Sequence, residues 1–245
     1  MNAGAEAAMK TLGLLGGMSW ESTLLYYRLL NQGVAARRGG LHSARMVLHC
    51  VDFAGVAAMQ AAGDWAGAAH LLGEAGRGLR AAGAQGLVLA TNTMHKVADA
   101  IEAAAGLPLL HIADATGAAL KAAGIGRVGL LGTRYTMEDP SIVQARLQQR
   151  HGLQVQVPGA ADRADVHRVI YDELCRGVVL DPSRQAFVAA IERLRAQGCE
   201  GVILGCTEIT MLVDAACSPL PVFDSTALHA AAAVNWMLTP DERGD

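Results

Sequence analysis

The sequence predicts an α/β protein of two pseudo-symmetric halves, each a three-layer αβα unit built on a parallel sheet. Three observations carry that prediction: an internal repeat, short apolar runs bounded by glycine and polar residues, and alanine-rich stretches of helical length between them. GLLGGMS at 13–19 returns as GLLGTRY at 129–135. GLVLATNT at 86–93 returns as GVILGCTE at 201–208, and LPLLHIADATGAAL at 107–120 as LPVFDSTALHAAAA at 220–233, in the same order and at an offset of about 115 residues.

The runs Leu87 to Ala90 and Val202 to Leu204 follow glycine and lead into polar residues, the pattern of buried parallel strands. Trp65 to Ala82, Lys96 to Ala105 and Gln185 to Gln197 are rich in Ala, Leu, Glu and Arg, which favour helix. Strands alternating with helices imply βαβ units with right-handed crossovers, and ligands then bind beyond the carboxyl ends of the strands. With two such halves, the site is expected in the cleft between them.

A chain of 245 residues has room for one large domain or two of about 110 residues. Its 18% charged residues and net charge of -3 suit a soluble globular protein and leave no basic footprint for nucleic acid. The five cysteines are odd in number and none has CxxC spacing, which argues against a disulfide framework or a zinc site and for a reducing cytoplasm. The opening MNAGAEAAMK does not read as a secretory signal, and no run of about 20 apolar residues offers a membrane span.

The repeat aligns Thr91 with Cys206, both just past equivalent strands. If a pseudo-twofold axis relates the halves, the two side chains approach one substrate carbon from opposite faces. Inverting a stereocentre by proton transfer needs that geometry, one group taking the α-proton while the other supplies a proton to the far side. A thiol with an unperturbed pKa of about 8.5 suits the base role, and a helix N-terminus or a substrate ammonium can enlarge its thiolate fraction. Thr91, a poor base, can donate or relay a proton, or simply cap the helix expected near Met94. Asn92, Thr93 and Thr207 offer amides and hydroxyls at two helix starts, where an α-carboxylate is held by backbone N–H groups, or they serve as plain caps. Cys50, Cys175 and Cys199 read as ordinary small hydrophobes.

GLLGGMSWESTLLYYRLLN, TNTMHKVADAIE, LHIADATG, GLLGTRYTM, IYDELCRG and GCTEI, in this order, resemble the aspartate/glutamate racemase family, in particular the bacterial L-aspartate/glutamate-specific branch in which a threonine replaces one of two cysteines. The resemblance spans about residues 9 to 238. It implies two α/β domains around an active cleft, no pyridoxal phosphate or metal, and a homodimer. It assigns proton transfer to Thr91 and Cys206, and substrate contacts to Met18, Gln60, Asn92, Thr93 and Thr207. Because the last helix returns to the first domain in such folds, the expected domains are 9–106 plus 217–238 and 107–216, with flexible tails at 1–8 and 239–245.

One position departs from the family pattern. Where members acting on acidic substrates carry a lysine, the stretch ADRADVHRVIYDEL places Asp165. A desolvated carboxylate facing a substrate carboxylate is strongly repelled, so Asp165 points to the cationic side chain of lysine or arginine, or to broad specificity. The alternative is that Asp165 faces solvent, Arg163 or Arg168 takes the lysine's place, and specificity stays acidic. His95 and His111 read as structural histidines rather than metal ligands, and GLLGG lacks dinucleotide-binding spacing. Glu208 either orients Cys206 or favours a helix start by its charge. Trp20, Tyr26 and Tyr27 read as packing or dimer contacts. Two other functions fit the same residues: a small-molecule binder without chemistry, and a lyase or isomerase that uses Cys206 alone.

Overall fold

A computed structural model describes residues 8–240, which form two compact units. The first comprises residues 8–90, 97–110 and 229–240, and the second Thr91–Lys96 and His111–Leu228. The tails expected at 1–8 and 239–245 lie, apart from residues 8, 239 and 240, outside the described residues.

The first unit runs β1 (Leu12–Gly16), α1 (Trp20–Arg38), β2 (Met46–Cys50), α2 (Phe53–Ala62), α3 (Trp65–Ala81), β3 (Gly86–Leu89), α4 (Ala98–Ala105) and β4 (Leu109–Leu110). Its sheet has the order β2-β1-β3-β4 and every pair is parallel. The repeated GLLGG ends β1 in a turn that only glycine fits. Gly17 has a φ of 91°, and a Cβ there would meet the Val51 carbonyl oxygen at 2.1 Å. Thr23 locks the turn by accepting the Gly17 N–H at 2.8 Å and donating to the Ser19 carbonyl at 2.8 Å.

Leu12, Leu14 and Val88 from the sheet pack with Tyr26, Leu30 and Val34 of α1 and with Ala233, Val234 and Met237 of the last helix, α10 (Ser225–Leu238). Tyr26 belongs to this core, whereas Trp20 and Tyr27 are exposed. The Tyr26 hydroxyl lies 2.8 Å from His229 Nδ1, and His229 Nε2 lies 2.8 Å from the Leu110 carbonyl oxygen. A carbonyl only accepts, so the ring carries its proton on Nε2 and takes the tyrosine O–H at Nδ1. Burial pushes this imidazole down to about 4.

The second unit repeats the topology. It contains α5 (Ile112–Ala122), β5 (Arg127–Gly132), α6 (Arg134–Glu138), α7 (Gln144–His151), β6 (Gln154–Gln156), α8 (Ala160–Asp172), α9 (Asp181–Ala196), β7 (Gly201–Gly205) and β8 (Val222–Asp224). Strand order is β6-β5-β7-β8, again all parallel. Alternate residues of the central strands feed two clusters. Leu131, Val202 and Leu204 meet Phe187 and Ile191 of α9, while Val128, Leu130 and Ile203 meet Leu120 of α5 and Leu147 of α7.

Two sequence expectations change here. The segment from 217 does not join the first sheet at once: β8 pairs with β7, Ile203 opposite Phe223, and the contacts pass to the first unit only from His229. The reason is the run LPVF, which completes the second sheet as LPLL completes the first. Of the cysteines read as small hydrophobes, only Cys199 is buried; Cys50 and Cys175 are exposed. No helix among the described residues is long and apolar enough to cross a membrane.

Candidate functional site

The polar residues past β3 gather at the carboxyl ends of the second unit's strands. Thr91–Lys96 groups with this unit, and its side chains show why. Asn92 Nδ2 donates to Ser225 Oγ at 3.2 Å, just beyond β8, and Ser225 donates in turn to the Leu204 carbonyl at 2.8 Å. Thr93 Oγ1 lies 3.4 Å from both Thr133 and Thr136, at the end of β5 and in α6, and those two hydroxyls are 3.3 Å apart. Lys96 pairs with Asp139. Burial opposes charge on Asp139, but bonds from Lys96 and Ser141 more than offset it and hold the carboxyl below its usual range.

Beyond β7, Cys206 opens a turn. The residue is part-buried against the unit's core, and its Sγ donates to Glu208 Oε2 at 2.9 Å. The same oxygen accepts from Thr207 Oγ1 at 2.5 Å. Burial, then the Glu208 carboxylate and more weakly Cys175, push the Cys206 thiol well above its ordinary range. These surroundings favour the protonated thiol, bonded to the Glu208 carboxylate, over the thiolate. The physical reason is local. Thr207–Met211 is a short 3₁₀ element rather than an α-helix, and Glu208 within it folds its carboxylate back onto the sulfur. The helix expected near Met94 likewise begins as a 3₁₀ turn, Thr93–Val97, with α4 following.

Tyr171 packs against the same core cluster as the thiol. His167 lies 4.7 Å from Tyr171 and 6.2 Å from Tyr135, ring centroid to centroid. Tyr171 is pushed up to about 12 by burial and by Tyr135, Cys206, Cys175 and Glu208, so its hydroxyl keeps its proton at neutral pH.

The unit thus holds Thr91, Asn92, Thr93, Cys206 and Thr207, and among them links Cys206 with Thr207 through Glu208. Asp165 is also in this unit but stands apart: its side chain is 65% exposed on α8, with the Arg168 guanidinium 3.9 Å away. Met18, after β1, and Gln60, in α2, are buried in the first unit. Sequence reasoning missed Ser225, Thr133, Thr136 and Asp139. The first two sit inside the repeated motifs LPVFDST and GLLGTRY, where position in the repeat could have flagged them. The histidines read as structural are tied to the main chain, His95 to Thr91 and Ile112 and His111 to Ala113. Among the described residues no group of three or more His, Cys, Asp or Glu is placed to hold a metal ion.

Known proteins share this fold. Over 94% of this chain and 100% of the other, the structure is similar to that of an Asp/Glu racemase candidate from Yersinia pestis, at 55% identity and a TM-score of 0.90. It is similar to an aspartate racemase homologue from Pyrococcus horikoshii OT3 at 29% identity and a TM-score of 0.81, covering 94% of this chain and 100% of that one. Glutamate racemase from Francisella tularensis, solved with D-glutamate, has a TM-score of 0.65 over 96% of this chain and 84% of its own; at 12% identity that likeness speaks to the fold alone. An uncharacterised protein of Pectobacterium carotovorum is 30% identical over 143 residues, 56% of this chain and 90% of that one. Residues 15–233 match the family described as Asp/Glu/hydantoin racemase, and the chain belongs to that family.

Proposed function

We propose that this protein is a cofactor-independent amino-acid racemase in which Cys206 and Thr91 exchange the α-proton on opposite faces of the substrate. The observation that carries the reading is the Cys206–Glu208 contact of 2.9 Å, at a strand end whose repeat counterpart presents Thr91. Glu208 gives the thiol a place to leave its proton, and a bound substrate ammonium then favours the thiolate. In one direction the thiolate takes the α-proton and the Thr91 hydroxyl supplies the far face. In the other the Thr91 oxygen left deprotonated by that transfer takes the α-proton and the thiol gives its own to the carbanion, which restores the hydroxyl and the thiolate. The hydroxyls and amides of Asn92, Thr93 and Thr207 supply donors for the substrate carboxylate.

The exposure of Asp165 supports acidic specificity, meaning aspartate or glutamate. A carboxylate in water beside Arg168 is screened and carries none of the desolvation that the lysine or arginine reading assumed. A basic substrate remains the second reading, since Asp165 still puts a negative charge where the family pattern has a positive one. Incubating a panel of L-amino acids in heavy water with wild type and Cys206→Ala tests both. Optical rotation and α-deuterium are expected to change for glutamate or aspartate and to vanish in the variant. Exchange that survives the substitution counts against Cys206 as the base, and faster turnover of L-lysine than of L-glutamate reverses the substrate class.

A further inference from the structure

The turn that carries Thr91 contains a histidine that the proposed chemistry does not use. His95 is 3% exposed, and main chain ties its ring on both sides. Nδ1 lies 2.8 Å from the Thr91 carbonyl oxygen, and Nε2 accepts the Ile112 backbone N–H at 3.2 Å. A carbonyl oxygen only accepts and a backbone N–H only donates, so these two bonds require a neutral imidazole with its proton on Nδ1. The ring rests 4.5 Å from that of His111, whose Nδ1 accepts the Ala113 N–H and caps α5. The peptide of Thr91 is thereby joined, through a side chain of its own turn, to the first residue of an eleven-residue helix.

We infer that His95 is a positioning residue for Thr91, holding its carbonyl against the start of α5 so that the Thr91 hydroxyl keeps one direction. The inference rests on the reading of Thr91 as a proton-transfer group. A short turn offers its backbone no continuous helix ladder, and rotation about the Thr91 Cα–C bond would tilt the peptide plane and let the side chain drift. The imidazole opposes that rotation with two hydrogen bonds in a buried place, where leaving either partner unsatisfied is costly. The repeat counterpart of His95 is Thr210, whose hydroxyl reaches only within its own turn, to the Thr207 carbonyl at 2.8 Å. The thiol is anchored by Glu208, whereas the hydroxyl depends on its backbone for aim.

The test follows racemisation and α-proton exchange in heavy water for both enantiomers, using wild type, His95→Ala and His95→Gln. In His95→Ala, kcat for racemisation is expected to fall about 100-fold, the cost of a misplacement on the order of 1 Å, with KM little changed. Exchange without inversion at the enantiomer whose proton faces Cys206 should persist near the wild-type rate. His95→Gln brings one amide donor and one acceptor and should recover most of the loss. Undiminished racemisation in His95→Ala overturns the inference, as does parallel loss of exchange and racemisation in both variants, which marks a merely structural residue. A wild type that exchanges no amino acid at all removes the racemase reading and this inference with it; a loss confined to the variants leaves that reading intact.

Discussion

Two turns follow equivalent strands, Thr91–Val97 after β3 and Cys206–Met211 after β7, and each begins with one member of the proposed proton-transfer pair. The first is fastened outward: Asn92 to Ser225, Thr93 to Thr133 and Thr136, His95 to Ile112, Lys96 to Asp139. In the second, Glu208 reaches back to Cys206 and Thr207. In the repeat Glu208 stands where the first turn has Thr93. The thiol therefore has a carboxylate in its own turn to exchange a proton with, while the hydroxyl has a scaffold that fixes its place. On the proposed chemistry, the repeated turn divides two requirements of acid–base catalysis between its copies, proton affinity and position.

Breaking the thiol side should cost most. Cys206→Ala is expected to lower racemisation by about 1,000-fold, within the range of a lost general acid or base, with little change in the unfolding midpoint. Thr91→Ala should lower it by about 100-fold. Because the two enantiomers of a racemase are equally stable, kcat/KM must fall equally in both directions, and the asymmetry will appear in exchange rates instead.

Glu208→Gln sharpens the comparison. The carboxylate pushes the Cys206 thiol up, so removing its charge should lower the thiol pKa and speed alkylation of Cys206 by iodoacetamide at pH 8. Racemisation should nonetheless slow by about tenfold, because the amide cannot take the proton. Site-resolved mass spectrometry separates Cys206 from the exposed Cys50 and Cys175. Slower alkylation in the variant contradicts the assigned role of the carboxylate.

His229, in the first unit, should affect stability and not chemistry. Its folded pKa of about 4 lies below the ordinary value of 6.5. Above 6.5 the ring is neutral in both folded and unfolded chains, and its contribution is fully present. As pH falls from 6.5 toward 4 the unfolded chain binds a proton that the folded one refuses, and stability drops by about 3 kcal/mol in total. Urea midpoints at pH 7.5 and 4.5 should differ less in His229→Gln than in wild type; equal differences refute the assignment. Asp114 acts in a lower window. Burial opposes its charge, but the Arg146 guanidinium, with bonds of 2.6 and 2.8 Å, more than compensates and holds the carboxyl below 3.8. Its contribution is lost only as pH falls below that value.

Much of this was legible in the chain. Apolar runs such as GLVL and GVIL mark central strands because a strand covered on both faces has no polar positions to interrupt it. The repeat placed Thr91 and Cys206 at matching strand ends for the same reason. The exposure of Asp165 was not readable: Val166, Val169 and Ile170 form the buried stripe of α8, and residue 165, one turn before Val169, sits at the edge of that stripe. Nor was the state of the thiol, since it depends on how far Glu208 folds back and how deeply the sulfur packs. The partners of Thr93 and Lys96 were hidden because Thr133, Thr136 and Asp139 are distant in sequence and meet them only through the fold.

The most direct measurement of the division between the two turns is the fate of the α-proton in Thr91→Ala, incubated in heavy water with each enantiomer separately. Deuterium should enter one enantiomer at nearly the wild-type rate, with its configuration retained, and the other should stay protiated. Equal labelling of both enantiomers, or inversion at an undiminished rate, would contradict the claim that a thiol and a hydroxyl serve opposite faces of the same carbon.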